Sequence, residues 1–307
     1  LPTLKIFDPA CGCGNFLVIA YRELRLLENE LIDKLFSKGG QSKGLLDIGT
    51  QSRVTVDQFY GLEIDPSAAH IAQVALWITD HQLNLITADR FGSTRPSIPL
   101  VKSAHIRQGN ALRVDWAEVL APEQCSFIVG NPPFVGAKYQ SAEQREDVAA
   151  VLGGIANHGL LDYVACWHVL AARYMQANPQ MACALVSTNS ICQGEQVGVL
   201  WPHLLGLGMR IQFAHRTFSW SNEARGKAAV HCVIVGFGLQ NLPGKVIYEY
   251  EDIKGEPLAV PAHNINPYLV DAPDVVLLRR SRPLCAVPEI GIGNKPIERL
   301  NCQPQSN

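Results

Sequence analysis

The sequence predicts an α/β fold, a doubly wound and mostly parallel sheet of seven strands. Short apolar segments alternate along the chain with longer segments of helical periodicity, which is typical of strand-helix-strand units. A Gly-rich turn joins the first predicted strand to the first predicted helix. The 307 residues are 47% hydrophobic and 18% charged, a composition that fits a globular enzyme and argues against a disordered chain.

The first half of the chain supplies four strands and two helices. The predicted strands are 4–7, 58–64, 105–108 and 126–129. One helix is predicted over residues 16–35, where apolar residues recur at helical spacing. A second begins at Pro66, since proline favours the first helical turn, and extends to about residue 85. Residues 37–53 contain several Gly and Ser and predict a loop or insertion.

The second half supplies the remaining elements. Helices are predicted over 162–176 and 195–207, and strands over 181–187, 210–214 and 229–237. The last strand is nearly all apolar, as expected for a central strand. From residue 256 onward prolines and charged residues become frequent and periodicity is lost. The pattern therefore predicts one domain over 1–255 and an irregular tail over 256–307.

Charge and cysteine content exclude several classes of protein. The longest apolar stretch is interrupted by charged residues, so no membrane helix is predicted. The nine cysteines lack zinc-ligand spacing and are interpreted as thiols in a reducing cytoplasm, with no metal bound. The net charge of −2 provides no strong basic field for nucleic acid, although a catalytic part of a larger DNA-binding protein needs none.

The first motif is the run DPACGCGNF at residues 8–16, which follows a strand and opens a helix. Gly12 and Gly14 allow the backbone to turn tightly and to approach a ligand, although a plain strand-to-helix turn can have the same composition. Leu17 stands where a nicotinamide-dinucleotide loop has its third glycine. The acidic Asp8 suits a cofactor that carries an ammonium group better than one that carries a pyrophosphate.

Two further motifs end the second and third strands. Glu63 lies where a carboxylate can accept hydrogen bonds from two ribose hydroxyls. Ile64 can pack on an adenine ring or belong to the core, and Asp65 is interpreted as the cap of the following helix. Asn110 can pair with the adenine edge of a cofactor, but a Gly-Asn turn explains it equally.

The sharpest motif is Asn131-Pro132-Pro133-Phe134, after the fourth strand. Two adjacent prolines fix the backbone and remove two N–H donors. The side-chain oxygen of Asn131 and the carbonyl of Pro132 can then both accept hydrogen bonds from one amino group. Phe134 offers an aromatic face on which a planar base can stack.

At these residues the sequence resembles the amino-methyltransferases of class I, which are Rossmann-like and use S-adenosylmethionine. The run at 8–16 is similar to their first motif, with Cys13 where Ser or Thr is usual, and NPPF is similar to their catalytic tetrapeptide. The cofactor loop precedes the catalytic loop, as in the γ-type members. A closer resemblance, to the large single-chain restriction-modification methylases of the MmeI-like type, rests on segments 218–224, 226–237, 266–269 and 287–291.

The resemblance implies an adenine-specific DNA methyltransferase that extrudes its target base from the duplex. Residues 1–255 would be its catalytic domain. The tail would lead to a target-recognition domain outside this chain, through which double-stranded DNA is bound. No membrane partner is implied, and the expected location is the cytoplasm of a prokaryote.

The resemblance also implies the role of each site residue. The cofactor would be held by Asp8, Pro9, Ala10, Gly12, Gly14, Asn15, Glu63, Ile64 and Asn110. The catalytic residues would be Asn131, Pro132, Pro133 and Phe134. Phe134 would stack on the flipped base together with Phe218 or Trp220. The chain departs from the family at Cys13 and at Asn110, where relatives commonly have Asp, and these departures concern cofactor affinity rather than reaction type.

Three alternatives stay open. An NPP-aromatic motif also serves methyltransferases that act on RNA or on protein glutamine. The chain alone can be a cofactor-binding module that is inactive without its recognition domain. A nicotinamide-dependent oxidoreductase is the third alternative, and preferential binding of a dinucleotide would support it.

Overall fold

The computed structural model of the chain describes residues 1–38, 52–91, 103–220 and 230–278. The strands are β1 (Ile6–Asp8), β2 (Phe59–Glu63), β3 (His105–Gln108), β4 (Phe127–Gly130), β5 (Ala182–Thr188), β6 (Arg210–Trp220), β7 (Val230–Gly238), β8 (Lys245–Glu249) and β9 (Leu258–Ala262). The α-helices are α1 (Asn15–Lys38), α2 (Pro66–Phe91), α3 (Ala142–Leu152), α4 (Ala165–Tyr174) and α5 (Glu195–Gly206).

All nine described strands join one sheet in the order β3-β2-β1-β4-β5-β7-β6-β8-β9. Strands β1 to β5 pair with one another in parallel. Strand β7 lies antiparallel between β5 and β6, β8 runs parallel to β6, and β9 runs antiparallel to β8. The predicted α/β fold with a mostly parallel sheet is therefore confirmed. The chain builds outward from β1 in one direction and then from β4 in the other, so the switch point of the sheet lies between β1 and β4.

Helices cover both faces of the sheet. Consecutive strand residues point to opposite sides, so each central strand packs against helices on both faces. Ile6 and Phe59 pack with residues of α1 and α2, among them Leu17, Tyr21 and Leu76. Phe7 and Leu62 belong to the other apolar cluster, which includes residues of the remaining helices, among them Val148, Val169, Leu200 and Trp201. The central strands are thus buried on both sides, which explains their continuous apolar sequences.

A buried polar contact joins α1 to α2. Arg25 is fully buried, and its guanidinium lies 3.3 Å from the carboxylate of Asp80. The same guanidinium donates to the Tyr21 hydroxyl at 2.9 Å and to Asn84 Oδ1 at 3.1 Å. Because a buried guanidinium needs partners for its donors, these contacts fix how the two helices lie against each other.

The sheet has two strands more than the seven predicted, and α3 was not predicted. Strands β8 and β9 form one edge of the sheet, and β9 is largely exposed and contains Pro261, so neither gives a clear apolar pattern. Regular structure continues past residue 255, because β9 pairs with β8 over five residues. The division of the chain at 255 stays a prediction. Residues 39–51 of the predicted loop, 221–229 and 279–307 lie outside the described residues.

Three further observations concern membrane helices, the cysteines and metal sites. No helix in the described ranges is long and apolar enough to cross a membrane. Seven cysteines are described, all as free thiols, and six of them are buried while Cys13 is exposed. Among the described residues no group of three or more His, Cys, Asp or Glu side chains is arranged to hold a metal ion.

Candidate active site

The loops after β1, β2, β3 and β4 open into one cavity of about 500 Å³ at the switch point of the sheet. Such a volume is typical of a small-molecule site. The cavity is lined by Pro9, Ala10, Gly12, Leu62, Glu63, Ile64, Gly109, Asn110, Ala111, Asn131, Pro133, Ser141, Glu143, Gln144, Asp147, Tyr163 and Trp167. The structure therefore brings most residues of the four predicted motifs together.

Asp8 lies at the end of β1, behind this lining, with only 1% of its surface exposed. Its Oδ1 accepts a hydrogen bond from the Ala10 N–H at 2.9 Å, whereas Oδ2 has no hydrogen-bond partner among the described residues. Burial raises the pKa of Asp8 to about 7, the Ala10 hydrogen bond opposes this shift, and the nearby carboxylate of Glu63 adds to it. A cation beside Oδ2 would stabilise the ionised form.

The glycines of the first loop adopt left-handed backbone angles. The φ angle is +53° at Gly12 and +86° at Gly14, values that favour glycine. A Cβ atom on Gly14 would also lie 3.0 Å from the Cβ of Ala72 on α2. The loop is joined to β2, because the Gly12 N–H donates to Glu63 Oε2 at 2.8 Å.

Glu63 ends β2 and lines the cavity. Its Oε1 accepts a hydrogen bond from the Asp65 N–H at 2.9 Å, so each carboxylate oxygen keeps room for one further donor. Asp65 caps α2, as predicted, since its Oδ1 accepts from Ser67 N–H at 2.7 Å and Ala68 N–H at 3.0 Å. Ile64 lines the cavity and is 62% exposed, which presents an apolar face to a ligand.

Asn110 follows β3, and its side chain is held from both sides. Its Oδ1 accepts from the Leu112 N–H at 2.9 Å, and its Nδ2 donates to Asp147 Oδ2 at 3.0 Å. The first contact is the Asn turn that the sequence offered as an alternative. Since Asn110 also lines the cavity, turn chemistry and ligand contact are compatible at this residue.

The NPPF segment begins where β4 ends. Asn131 Oδ1 is buried and has no hydrogen-bond partner within the described part of the chain. Pro132 is buried, while Pro133 lines the cavity and Phe134 packs against the apolar core. The preceding Gly130 lies close to the first loop, because a Cβ there would be 2.8 Å from Asp8 Oδ1. The strand ends from which the predicted cofactor and catalytic loops start therefore lie close together.

The segment that leads into α4 and the first turn of that helix hold both loops in place. The Ala137 N–H donates to Asp162 Oδ1 at 3.1 Å, and the Tyr163 N–H donates to the Val135 carbonyl at 2.9 Å. On the cofactor side, Trp167 Nε1 donates to the Pro9 carbonyl at 3.1 Å. A rigid loop of this kind can present its acceptors without reorganisation.

Seven predicted site residues are not among those that line the cavity: Asp8, Gly14, Asn15, Pro132, Phe134, Phe218 and Trp220. Asn15 is exposed at the first position of α1. Phe218, on β6, stacks on Tyr250 with ring centroids 5.4 Å apart. Trp220 ends β6, and its side chain lies outside the described residues. The stacking role of Phe218 or Trp220 stays a prediction.

Six lining residues were missed in the sequence: Ser141, Glu143, Gln144, Asp147, Tyr163 and Trp167. Tyr163 and Trp167 belong to an apolar segment that reads as ordinary core. Asp147 lies on the unpredicted helix α3, for which a signal was present. Ser141 and Gln144 form a capping box, in which the Gln144 N–H donates to Ser141 Oγ and the Ser141 N–H donates to Gln144 Oε1.

Comparison with known proteins gives one family. The family model of the MmeI DNA-methyltransferase domain matches residues 1–249. DNA methyltransferase A of Bacillus subtilis (strain 168) is 39% identical over 298 residues, which cover 95% of this chain and 32% of that protein. Adenine-specific methyltransferase PglX of Streptomyces coelicolor is 24% identical over 164 residues, which cover 45% of this chain and 13% of PglX.

Among solved structures, the type IIL restriction-modification enzyme MmeI in complex with DNA is similar to this chain. The two share 55% sequence identity with a TM-score of 0.89, over 94% of this chain and 38% of the MmeI chain. This chain therefore spans about a third of the length of the first two proteins that it matches.

Proposed function

The chain belongs to the family of MmeI DNA-methyltransferase domains, and from this premise we propose that it methylates the exocyclic amino group of adenine in DNA with S-adenosylmethionine. The proposal rests on Asn131 Oδ1, a buried acceptor that has no hydrogen-bond partner among the described residues. Asn131 lines the cavity together with residues of the Gly-rich loop. A buried acceptor without a partner in the chain takes its hydrogen bond from a bound water or a ligand, and an amino group is a suitable donor.

The residues of the cavity fit S-adenosylmethionine. Asp8 offers a buried carboxylate oxygen to the ammonium group of the methionine part. Glu63 has capacity for two ribose hydroxyls, Ile64 offers an apolar face to the adenine ring, and Asn110 supplies a polar side chain for the adenine edge. Pro9, Ala10, Gly12, Gly14 and Asn15 complete the proposed cofactor loop.

The catalytic loop would activate the target by position. Asn131 Oδ1 and the Pro132 carbonyl accept hydrogen bonds from the amino group and favour a pyramidal nitrogen, whose lone pair is otherwise delocalised into the ring. Phe134 stacks on the extruded base, with Phe218 or Trp220 as the second aromatic. When bound, S-adenosylmethionine would supply the methyl group, which would pass from its sulfur to the amino nitrogen with release of one proton from that nitrogen.

The proposal that the target is adenine in DNA rests on a sequence motif and on similar proteins. The NPPF motif favours adenine over cytosine, and one relative is named an adenine-specific methyltransferase. MmeI is described in complex with DNA. We further propose that this chain is the catalytic part of a larger restriction-modification protein, acting in the cytoplasm where prokaryotic DNA lies, and that a separate domain selects the DNA site.

The proposal is tested by Asn131→Ala in the complete protein that contains this chain. We expect transfer of a labelled methyl group from S-adenosylmethionine to duplex DNA to fall by a factor of at least about a thousand, since positioning and transition-state contacts are lost. Binding of S-adenosylmethionine, measured by calorimetry, should change by less than about threefold. The control is Asn178→Ala, because Asn178 does not line the cavity. Its Nδ2 donates to the carbonyls of Pro122 and Cys125, and its Oδ1 accepts from the Gln180 N–H.

Retained turnover in Asn131→Ala would contradict the catalytic assignment. Transfer to RNA or to protein glutamine in preference to duplex DNA would instead identify one of the other amino-methyltransferase classes. Cofactor binding without methylation of any DNA by the complete protein would favour a binding module.

A further inference from the structure

The cavity wall contains a buried carboxylate that the proposed roles leave unused. Asp147, on α3, lines the cavity with a side chain that is only 2% exposed. Its Oδ1 accepts from Arg113 Nε at 2.6 Å, and its Oδ2 accepts from Asn110 Nδ2 at 3.0 Å and from the Tyr163 hydroxyl at 2.8 Å. A carboxylate can accept about four hydrogen bonds, so Oδ1 has capacity for one more donor.

The neighbouring amide of Asn110 has a defined orientation. The Leu112 N–H faces Oδ1 and the Asp147 carboxylate faces Nδ2, so exchanging oxygen and nitrogen would break both contacts. Nδ2 carries two hydrogens, and one of them is used by Asp147. The pair therefore offers one acceptor and one donor side by side in the wall of the cavity.

Asp147 remains an acceptor at neutral pH. Burial raises its pKa, but the hydrogen bonds from Arg113, Asn110 and Tyr163 outweigh burial and hold the pKa below its usual value. Arg113 is half-exposed and lies outside the cavity lining, so it acts on a ligand only through Asp147.

An acceptor beside a donor distinguishes adenine from hypoxanthine. Adenine has an amino group next to an unprotonated ring nitrogen, whereas hypoxanthine has a carbonyl next to a ring N–H, which reverses both hydrogen-bonding roles. Resting on the proposed function, we propose that Asp147 and Asn110 together read this edge of the cofactor's adenine. Asp147 Oδ1 accepts from the amino group, Asn110 Nδ2 donates to the ring nitrogen, and Arg113 is a positioning residue.

The proposal also explains the unusual Asn110. A carboxylate at position 110 would lie 3 Å from Asp147, and two like charges at that distance repel each other. With Asp147 supplying the negative acceptor from α3, an amide at 110 is the neutral partner that both donates to it and offers a second hydrogen to the ligand.

The test compares binding of S-adenosylhomocysteine and S-inosylhomocysteine, in which hypoxanthine replaces adenine, by calorimetry. The native protein should prefer the adenosyl compound by more than about tenfold, since a mismatched edge leaves buried polar groups unpaired. Asp147→Asn should lose most of this preference, through weaker binding of the adenosyl compound alone. Asn110→Asp combined with Asp147→Asn returns a carboxylate to the pair and should restore part of it.

A purely structural role for Asp147 would weaken both compounds by the same factor, and that result would overturn the proposal. Arg145→Gln is the control, because Arg145 is exposed on the same helix and absent from the cavity lining, and its replacement should leave both affinities unchanged. If the native protein fails to bind S-adenosylhomocysteine, the proposed function fails. If it binds and Asp147→Asn keeps the full preference, only the adenine-reading role fails.

Arg113→Met provides a second variant in case Asp147→Asn does not fold. Removing the guanidinium takes away one of the hydrogen bonds that lower the pKa of Asp147, while those from Asn110 and Tyr163 remain, so the pKa of the carboxyl should rise. As the pH is lowered, the adenine preference of this variant should therefore be lost at a higher pH than that of the native protein. Loss of the preference at the same pH in both proteins would contradict the positioning role.

Discussion

Asp8 combines a structural cost with a proposed functional use. A buried carboxyl with a pKa of about 7 binds a proton more tightly in the folded chain than in the unfolded chain, where the value is near 3.8. The folded state is therefore favoured at low pH, and this contribution to stability is lost as the pH rises from about 4 through about 7. A bound ammonium group would pair with the ionised form of Asp8 and lower its pKa.

Asp8→Asn should remove this pH dependence. We expect the free energy of unfolding of the variant, relative to the native protein, to increase by about 2 to 3 kcal/mol between pH 5 and pH 8, because each pKa unit corresponds to about 1.4 kcal/mol. Denaturant unfolding at the two pH values measures the difference. Asp89→Asn, a change at an exposed position, is the control and should follow the native curve. An equal effect of Asp8→Asn at both pH values would argue against the raised pKa.

Individual site residues were predictable where they lie in a contiguous motif at the end of a strand. Asp8, Glu63 and Asn131 are such residues, because strand order alone brings their loops to one edge of the sheet. Asp147 is distant in sequence from Asn110 and meets it only through the packing of α3. One acid among three on a mostly exposed helix carries no local signal of that contact.

At the scale of elements, α1 and α2 are joined by a buried ion pair that the sequence pattern of neither helix predicts on its own. Arg25 is fully buried against Asp80, so removal of the guanidinium would leave Asp80 buried without its cationic partner. Breaking a buried pair in this way is far more costly than losing an exposed one.

Arg25→Leu should lower the free energy of unfolding by about 3 kcal/mol or more, while preserving most of the side-chain volume. Arg22→Leu is the matched control on the same helix, because Arg22 pairs with Glu23 at the surface, where both side chains are about half-exposed. That change should cost less than about 1 kcal/mol. Chemical denaturation of both variants gives the comparison, and similar values for the two would show that burial of Arg25 adds little.

Elements with strong periodicity or buried strands were predictable, and elements at the margins were not. Strand β7 is central and apolar, and it lies between β5 and β6 as its composition suggests. Strand β6 extends to Trp220, beyond the predicted end, because pairing with β7 rather than local pattern sets its length. Helix α3 exposes most of its residues and so lacks a clear apolar stripe.

At the scale of the whole molecule, the order of strands decides where the chemistry lies. The sheet reverses its direction of growth between β1 and β4, and the two loops that follow these strands carry the proposed cofactor and catalytic residues. Gly130 allows the loops to touch, since any side chain there would collide with Asp8. The proposed methyl donor and the amino group proposed to bind Asn131 would therefore meet in one cavity.

The central claim is that this cavity directs a methyl group to the amino nitrogen of adenine in DNA. It is tested most directly by mass spectrometry of nucleosides from cells that lack their own adenine methylases and express the complete protein. We expect N6-methyladenine in this DNA, and none when Asn131 is replaced by Ala. A methyl group found instead on cytosine, or N6-methyladenine that persists in the Asn131→Ala variant, would contradict the account.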